Sequence, residues 1–417
     1  MTRFTAIFPV LAATMALSAP PVAPAEDSAR PDQFHSIFSF GYGGDDFPED
    51  PQQFEKLARR IAEEGQFSAI LCGYTEERAR ICEALGLRMM VDLLHPAHHV
   101  YRAPEAATAL LEELRGQPDS VVMGYHLWSD RIGGSVDGRV RDIRLVRRHD
   151  PTRATYSASY RGDSLGSLAA ESVVFGWYDF HWKRGIHRRF PQLLHAWRLA
   201  GQHDSVFYEL LSTDSGRPGA GNFNRSLWSV NTGIACGMKG CLWFIGSRQM
   251  NARTGEWTGY GLDINRVNAE VMPLRDELMR LGTPVAVYST PITLDMNNRP
   301  VPAAADGGDV YPPGLDVHAL PPDFPVQAEA GEFLMGVFEP ADNGDADADG
   351  DGSLVLFIAN HNAYLEQEVR LRGAGITGAE MFDRSESRWR PLPPDRGAIG
   401  FQLPPAGGEL LRLWRRN

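Results

Sequence analysis

The sequence predicts a (β/α)8 barrel of the α/β class followed by a small antiparallel β-sandwich, and two patterns carry this prediction. From residue 35 to residue 282, eight short β-branched or aromatic runs alternate with stretches of helical period, as in parallel strands joined by crossover helices. Beyond residue 282 the helical period is lost, and period-2 runs follow a proline-rich stretch at 300–325. We therefore expect the barrel at 26–282 and the sandwich at 283–417.

The barrel strands are expected where apolar runs precede helical stretches. In the first of these helices, 51–64, Phe54, Leu57 and Ile61 share one face; the last is expected at 265–281. An open, doubly wound sheet is the alternative, and it is less favoured because residues 41–47 lack the glycine spacing of a phosphate-binding loop. The expected strands are 35–41, 67–73, 88–94, 121–128, 154–160, 173–180, 206–211 and 240–245.

The second domain is expected to be all-β. Its strands are predicted at 333–338, 354–359, 368–371, 398–403 and 410–414. The acidic stretch 342–351 between two of them resembles a calcium-binding loop. However, counting from Asp345, the twelfth position holds Leu356 instead of a bidentate acid, so a solvated hairpin loop is favoured.

The amino terminus is typical of an export signal. A charged start precedes an apolar run at 5–19, and Ala23-Pro24-Ala25 is a small-residue cleavage site. We expect a signal peptide at 1–25, cleavage after Ala25, and a secreted or periplasmic protein. A membrane anchor is the alternative, but Pro9 and the shortness of the run argue against it. No later segment is expected to span a membrane.

Charge and cysteine content limit the classes of partner. The chain carries 41 basic and 53 acidic side chains, a net charge of -12, which gives no electrostatic footprint for nucleic acid. Cys236 and Cys241 lie close enough in sequence to form a disulfide, with Cys72 and Cys82 a weaker candidate pair; free, buried thiols are the equal alternative. The sequence does not indicate an oligomeric state.

Two predicted strand ends carry a family resemblance. Gly124-Tyr125-His126-Leu127-Trp128 resembles the fourth strand of glycoside hydrolase clan A, with Ser129-Asp130-Arg131 in the place of Asn-Glu-Pro. Glu209 stands where that clan has a lone Glu in the seventh strand, and the chain from 260 onward looks like β-galactosidase-like barrels. The resemblance implies a cofactor-free glycosidase acting on an oligo- or polysaccharide with retention, Asp130 being the acid/base and Glu209 the nucleophile.

This sequence departs from the clan at the fourth strand. Asp in place of Glu withdraws the carboxyl by about 1.5 Å, and Ser in place of Asn removes a side-chain donor for the sugar. Because two carboxyl groups must flank the anomeric carbon, another acid is a candidate: Asp179 first, then Asp45 or Asp46. Asp130 as a helix cap or a partner of Arg131, and Glu209 as a structural acid, stay open as alternatives.

Aromatic and basic residues near the same strand ends are the expected substrate-binding groups. Sugar rings stack on aromatic faces, and five aromatic residues fall at the rim: Trp128, Trp177, Tyr178, Trp182 and Trp243. A basic cluster made of Arg161, Lys183, Arg184, Arg188 and Arg189 points to an anionic sugar, with a solvated helix start as the alternative. The other expected substrate contacts are Tyr42, Asp45, Asp46, His95, Tyr125, His126, Arg131 and His181.

Two other functions fit the sequence less well. His95, His98 and His99 have spacing that suits a transition metal, which would make the protein a metal-dependent hydrolase, but Pro96 and the lack of an acidic partner argue against a bound metal. A barrel that binds glycans without catalysis is the other alternative, and the altered Ser129-Asp130-Arg131 motif favours it.

Overall fold

The computed structural model describes most of the chain from residue 30 onward. The predicted signal peptide and the acidic stretch 342–351 lie outside the described residues. These are 30–41, 47–100, 102–128, 135–159, 162–179, 186–212, 223–244, 246–296, 298–305, 307–312, 320, 324–339, 353–373 and 375–415.

Eight parallel strands of the described chain close into a barrel in sequence order, the last pairing with the first. This confirms the predicted fold class, and each strand differs from its expected range by at most a few residues at either end. The strands are β1 (His35–Phe38), β2 (Ala69–Cys72), β3 (Arg88–Asp92), β4 (Val122–Trp128), β5 (Ala154–Ser159), β6 (Val174–Asp179), β7 (Val206–Ser212) and β8 (Gly240–Phe244).

Helices follow the strands and cover the outside of the barrel. The first begins after Asp50, whose carboxylate accepts a hydrogen bond from the Gln52 amide, and its predicted apolar face is buried. The last predicted helix is interrupted by a 3-10 turn at Met272–Leu274, because Pro273 has no amide proton to continue the helix. The helices are α1 (Pro51–Glu63), α2 (Glu76–Ala84), α3 (Pro104–Leu114), α4 (Val136–His149), α5 (Gly162–Glu171), α6 (Ile186–His203), α7 (Phe223–Ala235), α8 (Gly259–Val271) and α9 (Arg275–Arg280).

Side chains alternate along each strand between the barrel interior and the layer under the helices, because successive residues of a strand point to opposite faces. This alternation decides which residues can reach a substrate at the mouth of the barrel. Buried residues of the interior cluster are Ile37, Ala69, Leu71, Met90, Ala154, Tyr156, Ala158, Val174, Tyr178, Val206, Tyr208, Leu210 and Leu242.

The second domain packs two antiparallel sheets face to face, which confirms the predicted sandwich. All five predicted strands form, together with four short or half-exposed strands that the period-2 pattern missed: β9 (Ala286–Ser289), β10 (Gln327–Ala330), β14 (Ile376–Asp383) and β15 (Arg388–Pro391). The others are β11 (Phe333–Phe338), β12 (Leu354–Asn360), β13 (Gln367–Arg372), β16 (Ala398–Leu403) and β17 (Gly408–Arg415). The sheet orders are β10-β13-β16 and β15-β14-β17-β12-β11-β9.

The outer face of the larger sheet rests on helix α7. Trp228 Nε1 donates to the carbonyl of His361 at 3.0 Å, and Asn231 Nδ2 donates to that of Ala406 at 2.8 Å. Leu334 and Phe357 join the same buried cluster as the barrel helices. One hydrophobic cluster therefore extends from the helix layer of the barrel into the second domain.

All four cysteines are buried and none of them is in a disulfide, so neither candidate disulfide is formed. None of the described helices has both the length and the apolar character needed to cross a bilayer.

Candidate active site at the carboxyl edge of the barrel

Much of the predicted site lies just beyond the described strands. The expected residues that fall outside the described part of the chain are Tyr42, Asp45, Asp46, Asp130, Arg131, Arg161, His181, Trp182 and Arg184. The backbones of Trp128 and Asp179 end β4 and β6, while their side chains lie outside the description. In barrels of this architecture, active sites lie at the carboxyl ends of the strands, where all of these residues follow in sequence.

A buried carboxylate and imidazole are paired at this edge. Asp92, the last residue of β3, lies opposite His126 of β4 in the strand register, and the two are 1% and 0% exposed. Asp92 Oδ1 lies 3.0 Å from His126 Nδ1 and also accepts a hydrogen bond from the Leu94 amide at 3.0 Å. The His126 ring stacks on the interior Tyr156. The imidazole is thus held in one orientation by a carboxylate behind it, as in sites that move protons or bind hydroxyl groups.

His95 lies at the same edge, after β3. Its Nδ1 accepts a hydrogen bond from the Ala97 amide at 3.2 Å, and its ring lies over Gly73, where a Cβ would come within 2.7 Å of the ring. The neighbouring His99 is buried, and burial lowers its pKa. The side chain of His98 lies outside the description, and the residues that are described contain no group of three or more metal-binding side chains.

Glu209 faces the helices rather than the barrel mouth. Its neighbours in β7, Tyr208 and Leu210, occupy the interior, so alternation turns Glu209 outward. There its carboxylate meets Arg189 of α6 in a two-point ion pair, with Nη1–Oε2 3.1 Å and Nη2–Oε1 3.3 Å. Both side chains are at most 1% exposed. This position differs from the expected nucleophile, which would have to reach the anomeric carbon of a sugar.

The environment of Arg189 explains how this ion pair is accommodated. The guanidinium lies over Trp177 and Trp228, 5.7 and 5.4 Å from the ring centroids, and also donates to the carbonyl of Ser229. A Cβ at Gly233 would lie 2.6 Å from Glu209 Oε1, so the glycine leaves room for the carboxylate. Arg189 is therefore part of the packed layer between strands and helices, and it does not belong to the solvent-facing basic cluster that the sequence suggested.

Two of the expected aromatic contacts, Trp177 and Trp243, also lie in the layer under the helices. Each is at most 1% exposed. Trp177 Nε1 donates to Gln192 Oε1 at 2.7 Å, and Trp243 Nε1 donates to Ser36 Oγ at 3.0 Å. In the arrangement described, these two rings have no open face for a sugar, because alternation directs them away from the interior.

The other two expected aromatic residues whose side chains are described, Tyr125 and Tyr178, lie on opposite faces of the barrel wall. Tyr125 Oη donates to Asp150 Oδ2 at 2.6 Å, and burial raises the pKa of this phenol. Tyr178 belongs to the interior cluster at the carboxyl end of β6. Of the described aromatic residues in the expected set, Tyr178 is thus the one directed into the barrel.

Sequence reasoning missed Asp92 and interpreted Arg189 as part of a basic cluster, although the sequence carries a signal for the role of each. Asp92 lies within the predicted strand 88–94 and shares its parity with the apolar Met90, which places both on one face. Arg189 stands four residues before Leu193 and seven before Ala196, on the apolar stripe of its helix. A charged residue on such a stripe requires a buried partner, and Glu209 in its apolar strand is the matching acid.

Neither a protein-family model nor a curated protein matches the chain. Solved structures do resemble it. An Anoxybacillus α-amylase gives a TM-score of 0.48 at 9% identity, covering 93% of this chain and 98% of that one. A family 27 β-L-arabinopyranosidase from Geobacillus stearothermophilus gives 0.46 at 10%, covering 94% and 98%.

A third similar structure is a glycoside hydrolase family 30 xylanase from Clostridium acetobutylicum, with a TM-score of 0.42 at 9% identity, covering 94% of this chain and 98% of that one. All three are named as glycoside hydrolases or glycosidases. Likeness at these identities and TM-scores does not carry an activity over to this chain.

Proposed function

We propose that this protein is a glycoside hydrolase whose reaction takes place at the carboxyl edge of the barrel. The observation that carries the proposal is the buried Asp92–His126 pair, which is fixed at the carboxyl ends of β3 and β4 and inside the barrel wall. The chain leaves β4 two residues after His126 and reaches Asp130 two residues later. A fixed imidazole next to a segment that carries an acid suits recognition of a sugar hydroxyl beside the scissile bond.

In this proposal Asp130 protonates the oxygen of the leaving group. The second carboxyl belongs to Asp179, at the end of β6, since the carboxylate of Glu209 is engaged by Arg189. β4 and β6 flank β5, so their carboxyl ends stand roughly 10 Å apart. Asp179 then attacks the anomeric carbon or activates a water, while Asp92 holds the His126 ring in place.

The test is turnover of a panel of aryl glycosides and polysaccharides by the purified chain. Asp130→Asn and Asp179→Asn should each lower kcat by about 100-fold or more, because each removes a group that transfers a proton or attacks. Asp276→Asn is the matched control, since that carboxyl is 68% exposed and lies on α9. Unchanged kcat in both site variants would contradict the proposal.

Retention of anomeric configuration is the proposed stereochemical course. It requires the two reacting carboxyl groups to stand about 5 to 5.5 Å apart, whereas inversion needs about 6.5 to 9.5 Å. Proton NMR of the first product anomer decides this directly. An inverted first product would mean that water, and not Asp179, attacks the anomeric carbon.

Binding of glycans without catalysis is the second candidate, and the Glu209–Arg189 ion pair favours it. In that pair the Glu209 carboxylate of β7 is buried against Arg189. In this case calorimetry would show saturable binding of an oligosaccharide, while no glycoside in the panel would be hydrolysed.

We also propose an anionic sugar as substrate, supported by Arg161, Lys183 and Arg184 in the segments that follow β5 and β6. Arg184→Ala should raise KM for a uronic acid glycoside and leave KM for the neutral analogue unchanged. Equal effects on both substrates would remove this part of the proposal.

Export to the periplasm or the medium is proposed from the sequence of residues 1–25. Amino-terminal sequencing of the protein recovered outside the cytoplasm should begin at Glu26. Recovery of the uncut chain from the cytoplasm alone would contradict export.

A further inference from the structure

Arg78 is a buried cation near the carboxyl edge of the barrel, and the proposed reaction does not use it. It lies in the first turn of α2 and is 7% exposed. Both features are unusual for an arginine. The amino-terminal end of a helix carries a partial positive charge that disfavours a cation, and burial of a guanidinium is costly unless its donors are satisfied. A residue that departs from both preferences is held by contacts from elsewhere in the fold.

The contacts of Arg78 include three backbone carbonyl groups on two connections of the barrel. Nη1 donates to the carbonyl of Gly73, the residue after β2, at 3.2 Å. Nη2 donates to the carbonyls of Pro48 and Phe47 at 3.2 and 3.4 Å, where the chain leads into α1. The guanidinium also lies 5.3 Å from the centroid of the Phe54 ring in α1. Arg78 therefore joins the chain that follows β2 to the chain that enters α1.

Position 73 faces the barrel interior, and a histidine ring occupies the space that a side chain there would take. Ala69 and Leu71 of β2 belong to the interior cluster, so the alternation of the strand turns position 73 to the same face. A Cβ at Gly73 would lie 2.7 Å from Cδ2 and 3.2 Å from Nε2 of His95. The half-buried ring of His95 therefore lies over the mouth of the barrel, at the edge where the proposed reaction takes place.

A second contact fixes the orientation of this ring. The Ala97 amide donates to His95 Nδ1 at 3.2 Å. Because a backbone amide can only donate, Nδ1 is the acceptor, and the neutral ring carries its proton on Nε2. The Cδ2–Nε2 edge of the ring faces Gly73, whose carbonyl is bound by Arg78. The position of the ring thus depends on the backbone of Gly73 staying where the guanidinium holds it.

We propose that Arg78 is a positioning residue for His95. It fixes the carbonyl of Gly73, and with it the backbone surface on which the imidazole rests. The consequence for activity rests on the proposed glycosidase function, with His95 as one of the substrate contacts. Because Arg78 acts through the backbone of Gly73, its loss should weaken substrate binding more than it slows the reaction of the bound substrate.

The first experiment observes the imidazole ring and does not require activity. Long-range proton–nitrogen NMR spectra are recorded on the full chain with isotope-labelled histidine, and His95→Gln assigns the signals of the His95 ring. Arg78→Met should shift or broaden these signals. Arg78→Lys should shift them less, since lysine can still donate to a carbonyl. Ring signals that are the same in Arg78→Met and in wild type would overturn the proposal.

Arg80→Met is the matched control for this experiment. Arg80 lies on the same helix, is 72% exposed and is paired with Glu77. Its loss should leave the His95 signals unchanged. A shift as large as that of Arg78→Met would mean that the ring responds to any change in α2, which would contradict a specific role of Arg78.

Gly73→Ala gives an independent test in which Arg78 is kept, and it covers the case in which Arg78→Met does not fold. The φ angle of Gly73 lies outside the left-handed region, so alanine is compatible with the backbone there. Its Cβ would meet the ring at 2.7 Å, so the ring has to move. We expect shifted His95 signals in this variant. Unchanged signals would show that the ring does not rest on Gly73 and would also overturn the proposal.

The second experiment separates positioning from a general loss of structure. With a glycoside substrate, Arg78→Met and Gly73→Ala should each raise KM about three- to tenfold, the effect of about one hydrogen bond. Both should change kcat less than about twofold, and Arg78→Lys should recover part of KM. An unchanged KM, or a fall in kcat with KM constant, would contradict positioning of a substrate contact. If wild type hydrolyses no glycoside, the proposed function fails, and the NMR spectra decide whether Arg78 positions His95.

Discussion

The substitution Glu209→Gln tests whether the carboxylate of Glu209 has a structural or a catalytic role. The ion pair with Arg189 has two N–O contacts of 3.1 and 3.3 Å, and both side chains are at most 1% exposed. Removing one charge from a buried pair leaves the other uncompensated, which costs about 3 to 5 kcal/mol of the free energy of unfolding. Because glutamine keeps the shape and one acceptor, we expect about 3 kcal/mol for Glu209→Gln.

The assay is urea denaturation of four proteins: wild type, Glu209→Gln, Arg189→Met and the double variant. Each single variant should lose about 3 kcal/mol, and the double variant should lose about 2 kcal/mol less than their sum, because the two side chains interact directly. The reasoning would be refuted if Glu209→Gln unfolded at the wild-type urea concentration while its glycoside turnover disappeared. That result would return Glu209 to the reacting centre.

Three further predictions follow from other buried groups. Burial holds the pKa of both His35 and His361 at about 3, below the unfolded value of 6.5, so the unfolded state binds protons first on acidification. The free energy of unfolding, measured by urea denaturation, should therefore be highest above pH 6.5 and should fall by about 2.5 kcal/mol between pH 6 and pH 5. A free energy of unfolding that does not change over this range would contradict burial of the two imidazoles in the neutral form. Tyr125→Phe should lower the free energy of unfolding by about 1.5 to 3 kcal/mol, because it removes the hydrogen bond to the Asp150 carboxylate, and it should leave KM unchanged. A raised KM would instead show that Tyr125 contacts the substrate. Gly176→Ala should lower the free energy of unfolding by about 1 to 3 kcal/mol because its Cβ would meet an interior tyrosine at 2.6 Å, and a neutral effect would show that this ring can move.

The architecture could be read from the sequence because periodicity reports it directly. Phe54, Leu57 and Ile61 repeat at helical spacing, and the helix they predict differs from the observed α1 by one residue. The period-2 pattern did not predict β14, because burial alternates weakly along this strand and half-buried residues lie on both of its faces. The break at Pro273 was visible in the sequence as a residue that cannot continue a helix.

The direction of individual side chains was harder to predict, because it depends on strand parity. A shift of one residue in register moves Glu209 from the interior to the layer under the helices, and motif position alone does not fix that register. The same applies to Trp177 and Trp243, whose indole nitrogens find partners outside the interior. His126 was found by motif, but its partner Asp92 lies on another strand, 34 residues away, and only the barrel brings the two together.

A crystal structure of Asp130→Asn with a bound oligosaccharide tests the central claim most directly. The account predicts a sugar ring at the carboxyl edge of the barrel, with the anomeric carbon between residues 130 and 179 and a hydroxyl group within hydrogen-bond distance of His126. A sugar bound on the sandwich or elsewhere on the surface, with the carboxyl edge open to solvent, would contradict it.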